Sequence, residues 1–121
     1  MTYKLITLDR QDGLAILTLN QPEKLNAVSR KMIAEIKSAW DDIAVDASVR
    51  AVLLTGEGRG FCAGADLSDP DRANDTDSGS ALEKFFNPTI RLMRSLPKPI
   101  VAAVNGVAAF LAKRPAKFMG R

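Results

Sequence analysis

Residues 50–67 constrain the fold more than any other stretch of this chain. A short apolar run from Arg50 to Thr55, centred on Ala51-Val52-Leu53-Leu54, leads into a segment carrying Gly56, Gly58, Gly60 and Gly64. The unbroken apolar centre predicts a strand buried on both faces, as in a parallel sheet. The glycines predict a tight turn straight after it. Small residues at Ala63, Gly64 and Ala65 let a ligand come close to the backbone. A main-chain N–H exposed there can face negative charge developing on a substrate oxygen.

The flanking segments predict what this strand joins. Tyr3–Asp9 and Leu14–Asn20 alternate as strands, and Arg10-Gln11-Asp12-Gly13 between them reads as a hairpin turn. Pro22 ends the second strand. Met32, Ile33, Ile36, Trp40 and Ile43 recur at three- and four-residue steps, so residues 29 to about 44 form a helix with Ser29 as N-cap. Trp40 on that face reads as a core anchor rather than a ligand platform. Ser68–Ser80 reads as a solvated loop. Its aspartates, Asp69, Asp71, Asp75 and Asp77, do not keep EF-hand spacing: counting from Asp75, Gly79 takes a ligand place and Phe86 the final acidic place. Leu82–Leu96 is a second helix, bent by Pro88. Pro97 and Pro99 end it, and Ile100–Asn105 forms another buried strand.

Composition excludes several chemistries. With no histidine among 121 residues, Ser-His-Asp and Cys-His catalysis within the chain is excluded. The single cysteine, Cys62, allows no internal disulfide and no usual zinc ligand set. With no histidine to activate it, Cys62 reads as an inert, partly buried thiol. The net charge of +3 is small, and Lys113, Arg114, Lys117 and Arg121 lie together near the end. Aromatic residues are not interleaved with basic ones, so a single-strand nucleic-acid surface is not expected. No apolar run approaches the ~20 residues that span a bilayer. The first residues lack the apolar core of a secretory signal, which makes a cytosolic location the expectation.

Gly60-Phe61-Cys62-Ala63-Gly64-Ala65-Asp66-Leu67 resembles the signature of the crotonase superfamily, the enoyl-CoA hydratases and isomerases. Other matches follow in order. Asn20-Gln21-Pro22-Glu23-Lys24-Leu25-Asn26-Ala27 resembles the family's early CoA-binding turn. Leu96 to Ala109, through Val104-Asn105-Gly106, looks like the strand leading to its second oxyanion element. Leu82-Glu83-Lys84-Phe85-Phe86-Asn87-Pro88 is similar to the phenylacetate-pathway branch, the 1,2-epoxyphenylacetyl-CoA isomerases.

The resemblance implies an α/β fold of β-β-α units repeating in a right-handed spiral, of which residues 1–109 are the N-terminal portion. It implies an acyl-CoA substrate and an enolate-like anion held by two backbone N–H groups. No cofactor is implied beyond the coenzyme A carried by the substrate. The first donor falls on the N–H of Ala65. Ala63, Gly64 and Leu67 line the CoA path, and Lys24 and Leu25 lie near its nucleotide end. Asp66, tempting as a general acid or base, is implied to be a turn or cap residue. The family assembles as trimers or hexamers.

The pattern departs from the family at Phe110. A glycine-rich helix start is replaced by Phe110-Leu111-Ala112-Lys113-Arg114-Pro115. Arg114 stands near the place of a hydratase glutamate. Ala112 to Gly120 resembles a later stretch of the family, which fits an internal deletion; an unrelated or frameshifted tail is the rival account. Residues 110–121 are therefore expected to be a divergent basic tail. Three readings stay open: an enzyme of this family, a non-catalytic CoA-binding or interaction fragment, and a non-functional remnant. In all three the chain alone is expected to lack turnover.

Overall fold

The computed structural model describes residues 2–70, 84 and 86–106. Strand β1 (Ile6–Gln11) pairs antiparallel with β2 (Leu14–Leu19), with Gln11 opposite Leu14. Only Asp12 and Gly13 remain to turn the chain, and both have positive φ, 49° and 86°. That is the two-residue hairpin whose twist matches the strands. β1 starts later than the alternation from Tyr3 predicts. The N–H groups of Lys4 and Leu5 instead donate to the Glu35 carboxylate, at 3.0 and 2.9 Å.

Helix α1 (Arg30–Val45) follows the predicted apolar face, burying Met32, Ile33, Ile36, Ala39, Trp40 and Ile43. Ser29 Oγ accepts the Met32 N–H at 3.1 Å, satisfying one orphan donor of the first turn. Asp69 meets the same end of the helix. It is buried and accepts the Arg30 N–H at 2.7 Å, which corrects the expectation of a wholly solvated acidic loop. At the other end Lys98 Nζ donates to the carbonyls of Ile43 and Asp46, at 2.7 and 2.8 Å. A cation there offsets the negative end of the helix.

Strand β3 (Ala51–Gly56) runs parallel to β2, and β4 (Ile100–Ala102) runs parallel to β3. The sheet order is therefore β1-β2-β3-β4. Helix α2 (Asn87–Ser95) packs on α1. Pro88 lies in its first turn, and Lys84 and Phe86 before it are π-helical, so the proline stands where a wider helical turn passes into the α-helix, as the disturbance expected of it requires. The expected residues Leu82, Glu83 and Phe85, the acidic positions 71–80 and the tail 110–121 lie outside the described residues.

The core lies between the helices and one face of the sheet: Ile6, Ala15, Leu17, Leu19 and Val52 meet the apolar side of α1. Burial on both faces is not what β3 and β4 show. Only Val52 of β3 is fully buried, and Val101 of β4 is 60% exposed. The opposite face has no covering element among the described residues. Among these residues no helix is long and apolar enough to cross a membrane.

An exposed apolar face beside a strand edge unpaired among the described residues favours association. The 121-residue chain is expected to sediment in a concentration-dependent way, and Val101→Lys to shift it toward monomer. A dilution-independent monomer that melts sharply and binds no apolar dye would contradict this.

Candidate functional site

The site begins where β3 ends. A Cβ on Gly56 would lie 2.5 Å from the Phe61 carbonyl oxygen, so only glycine lets the chain fold back here. Two carboxamides hold the loop that follows. Asn26, fully buried, donates through Nδ2 to the carbonyls of Glu57 and Gly60, at 3.0 and 2.9 Å, while its Oδ1 accepts the Gln21 N–H at 2.7 Å. Asn105 Nδ2 donates to the carbonyls of Gly56 and Gly58, both at 2.8 Å.

The turn expected to meet a ligand comes next. The Ala63 N–H donates to the Leu25 carbonyl at 3.0 Å. The Val28 N–H donates to Gly64 O at 2.7 Å, and the Asp66 N–H to Val28 O at 2.9 Å. These two bonds make a parallel bridge between Val28 and Ala65. In such a bridge the bracketed residue turns its own N–H away from its partner. The Ala65 N–H accordingly donates to no group among the described residues. Ala63, Gly64, Ala65 and Leu67 are all exposed. Gly64 has φ 105°, a conformation that side chains rarely adopt.

Asp66 is spent on the turn. It is buried, and its carboxylate accepts the Ser68 hydroxyl at 2.6 Å, the Ser68 N–H at 2.9 Å and Lys24 Nζ at 3.2 Å. The Ser68 hydroxyl is the main reason its carboxyl titrates below the ordinary range; the Ser68 N–H and Lys24 add to this and burial opposes it. A depressed carboxylate stabilises the fold above its unfolded pKa, and that contribution disappears as pH falls through the folded value. Asp46, also lowered, chiefly by Ser48, behaves alike. Urea unfolding from about pH 5 down to about pH 2 should therefore show stability falling faster in the parent than in Asp66→Asn. Parallel curves would count against this, and Asp46→Asn should remove a further part of the fall.

Beside this turn opens a cavity of about 470 Å³. Of the residues expected to meet CoA, Leu25 and Ala63 line it, whereas Lys24, Gly64, Ala65 and Leu67 are not on its wall. Lys24 faces Asp66 instead. Arg59, Phe61 and Cys62 form another part of the wall, and Val104, Asn105 and Gly106 the side contributed beyond β4. None of these was singled out as a site residue from the sequence. The available signal was topological, since parallel sheets bind ligands beyond the carboxyl ends of their strands. Cys62 is exposed, not partly buried as expected, because the small residues that follow it leave the thiol uncovered. Among the described residues no group of three His, Cys, Asp or Glu side chains could hold a metal ion.

The family model described as enoyl-CoA hydratase/isomerase matches residues 9–110. The chain is 44% identical over 102 residues to 1,2-epoxyphenylacetyl-CoA isomerase of Escherichia coli K12, a match covering 82% of this chain and 39% of that protein. It is 34% identical over 112 residues to crotonyl-CoA hydratase of Syntrophomonas wolfei, covering 89% and 42%. The crystal structure of an enoyl-CoA hydratase from Mycobacterium avium subsp. paratuberculosis superposes with a TM-score of 0.71 at 33% identity, over 86% of this chain and 40% of that one. The chain thus spans about two fifths of the length of the relatives it matches. A hairpin, helix and parallel strands ending in this glycine turn are the N-terminal portion of the crotonase fold, and the chain belongs to the enoyl-CoA hydratase/isomerase family.

Proposed function

We propose that this chain forms the first wall of an acyl-CoA site, with the Ala65 N–H directed at the thioester oxygen. The observation that carries the reading is the Ala65 N–H, turned out of the Val28 bridge over exposed small residues. A preorganised N–H of this kind stabilises the enolate-like charge that develops when a proton leaves or joins the carbon beside the carbonyl. Leu25, Ala63, Gly64 and Leu67 would pack along the pantetheine and nucleotide arms. Lys24 would meet the nucleotide end on exchanging Asp66 for a phosphate. Hydration and double-bond or ring isomerisation both proceed through such an anion. Phe86-Asn87-Pro88 and the 44% identity to the Escherichia coli isomerase favour isomerisation of a phenylacetyl-type thioester. A cytosolic location agrees with acyl-CoA chemistry.

The second donor and the acid/base carboxylates are not among the described residues at this site. Loss of one oxyanion donor costs about 10²–10³ in rate. The 121-residue chain should therefore show no turnover of crotonyl-CoA or an unsaturated phenylacetyl-type thioester above background. One wall of a site also limits affinity, to roughly millimolar, about −4 kcal/mol. Turnover by a pure sample would overturn the inactive reading. Calorimetry showing tight CoA binding that is lost on Gly64→Val would favour a dedicated CoA-binding module instead.

A further inference from the structure

The loop from Gly56 to Gly60 lies between two carboxamides that come from distant parts of the chain. Asn26 reaches it from the turn that carries Lys24 and Leu25, and Asn105 from the segment after β4. Four carbonyls, those of Gly56, Glu57, Gly58 and Gly60, are held by just two NH₂ groups. A carboxamide suits this because its two N–H bonds diverge in one plane and can bridge two acceptors. An aspartate, which only accepts when ionised, would face carbonyl oxygens with its own. Gly106, next to Asn105, completes the contact: its φ is 91°, and a Cβ there would lie 2.8 Å from the Arg59 carbonyl oxygen.

The two asparagines are not equivalent. Asn26 uses both ends of its side chain. Asn105 Oδ1 is buried with no hydrogen-bond partner among the described residues. Leaving a buried acceptor unmade opposes stability. Among the described residues, Asn105 therefore spends its side chain on the two loop carbonyls alone. It joins the cavity wall beyond β4 to the loop that leads into Ala63–Asp66.

We propose that Asn105, with Asn26 opposite it, is a positioning residue that fixes the Gly56–Gly60 loop and so sets the direction of the Ala65 N–H. The proposal deepens the acyl-CoA reading above and rests on it for the role of that N–H. Without the Asn105 bonds the loop can swing, and the Val28–Ala65 bridge loosens with it.

Amide exchange of the ¹⁵N-labelled full chain tests this, with crotonyl-CoA as the added probe. In Asn105→Ala, the Val28 and Asp66 amides should exchange about tenfold faster than in the parent, the size of one or two lost hydrogen bonds. The β1–β2 ladder amides should keep their rates. Asn105→Ser, which retains one donor, should fall between. The crotonyl-CoA-induced shift of the Ala65 amide should shrink in the same order. Unchanged Val28 and Asp66 exchange would overturn the proposal. So would loss of ladder protection in both variants, because Asn105 would then serve stability alone. If crotonyl-CoA leaves the Ala65 amide of the parent unmoved, the acyl-CoA reading fails, while the exchange rates still decide whether Asn105 positions the turn.

Discussion

Replacing Trp40 with alanine is expected to remove most of the stability of this chain. Trp40 is fully buried and is the largest side chain in the core, on the face of α1 that meets the sheet. Truncating a buried tryptophan costs about 3–5 kcal/mol, through lost burial and the cavity left behind. A domain of this size has only about 5–15 kcal/mol in total, and the uncovered sheet face puts this one toward the lower end. Trp40→Ala should therefore lose its cooperative melt, or unfold at much lower urea, when followed by circular dichroism. Fluorescence cannot report it, because Trp40 is the only tryptophan. Trp40→Phe keeps much of the volume and should cost distinctly less. A loss below about 1 kcal/mol in Trp40→Ala would mean that the helix face is not the core of the fold.

Gly56→Ala is expected to be the most damaging single-methyl change near the site. The added Cβ would fall 2.5 Å from Phe61 O, 2.9 Å from Phe61 Cα and 2.9 Å from Asn26 Nδ2. Two of these neighbours are backbone atoms that cannot step aside without moving the turn. Overpacking of this kind costs about 1–3 kcal/mol or more, and here it also pushes on the carboxamide that holds Glu57 and Gly60. Gly60→Ala, four residues on, is the matched control. Its Cβ would meet nothing closer than Leu25 Cδ2 at 3.9 Å, so its effect should stay within about 0.5 kcal/mol. Urea titrations of the pair separate a steric requirement from a general liking for glycine in this loop. Equal losses in both would refute the steric account.

Local features of the chain were legible in the sequence. The apolar steps from Met32 to Ile43 and the Ser29 cap are interactions between residues three or four apart, so the sequence pattern alone carries them. Asp12-Gly13 turns the hairpin by its own backbone preferences. The glycine turn after β3 was readable for the same reason; Asp66 as a turn residue came from the family resemblance, and the structure supplies its partner, Ser68, two residues away. Pro88 shows the limit of this reading. Its position predicts a disturbance of the helix, but only the fold decides that the disturbance is a π-helical turn at Lys84 and Phe86.

What the sequence by itself determined is therefore the elements, their order and the turn that carries Ala65. Tertiary structure alone decided what those elements leave uncovered and what holds the turn still. Exposure of Val101 depends on which face the two helices share, and no single strand's pattern contains that. Val104 to Gly106 join the cavity because β4 lies parallel beside β3, pairing Val52 with Ile100 across 48 positions of chain. The partners of Asn26 and Asn105 are main-chain carbonyls 31 to 49 residues away. Every residue has such a carbonyl, so the sequence cannot mark which ones a carboxamide will hold. Only the folded backbone, by turning four of them toward two side chains, makes that choice.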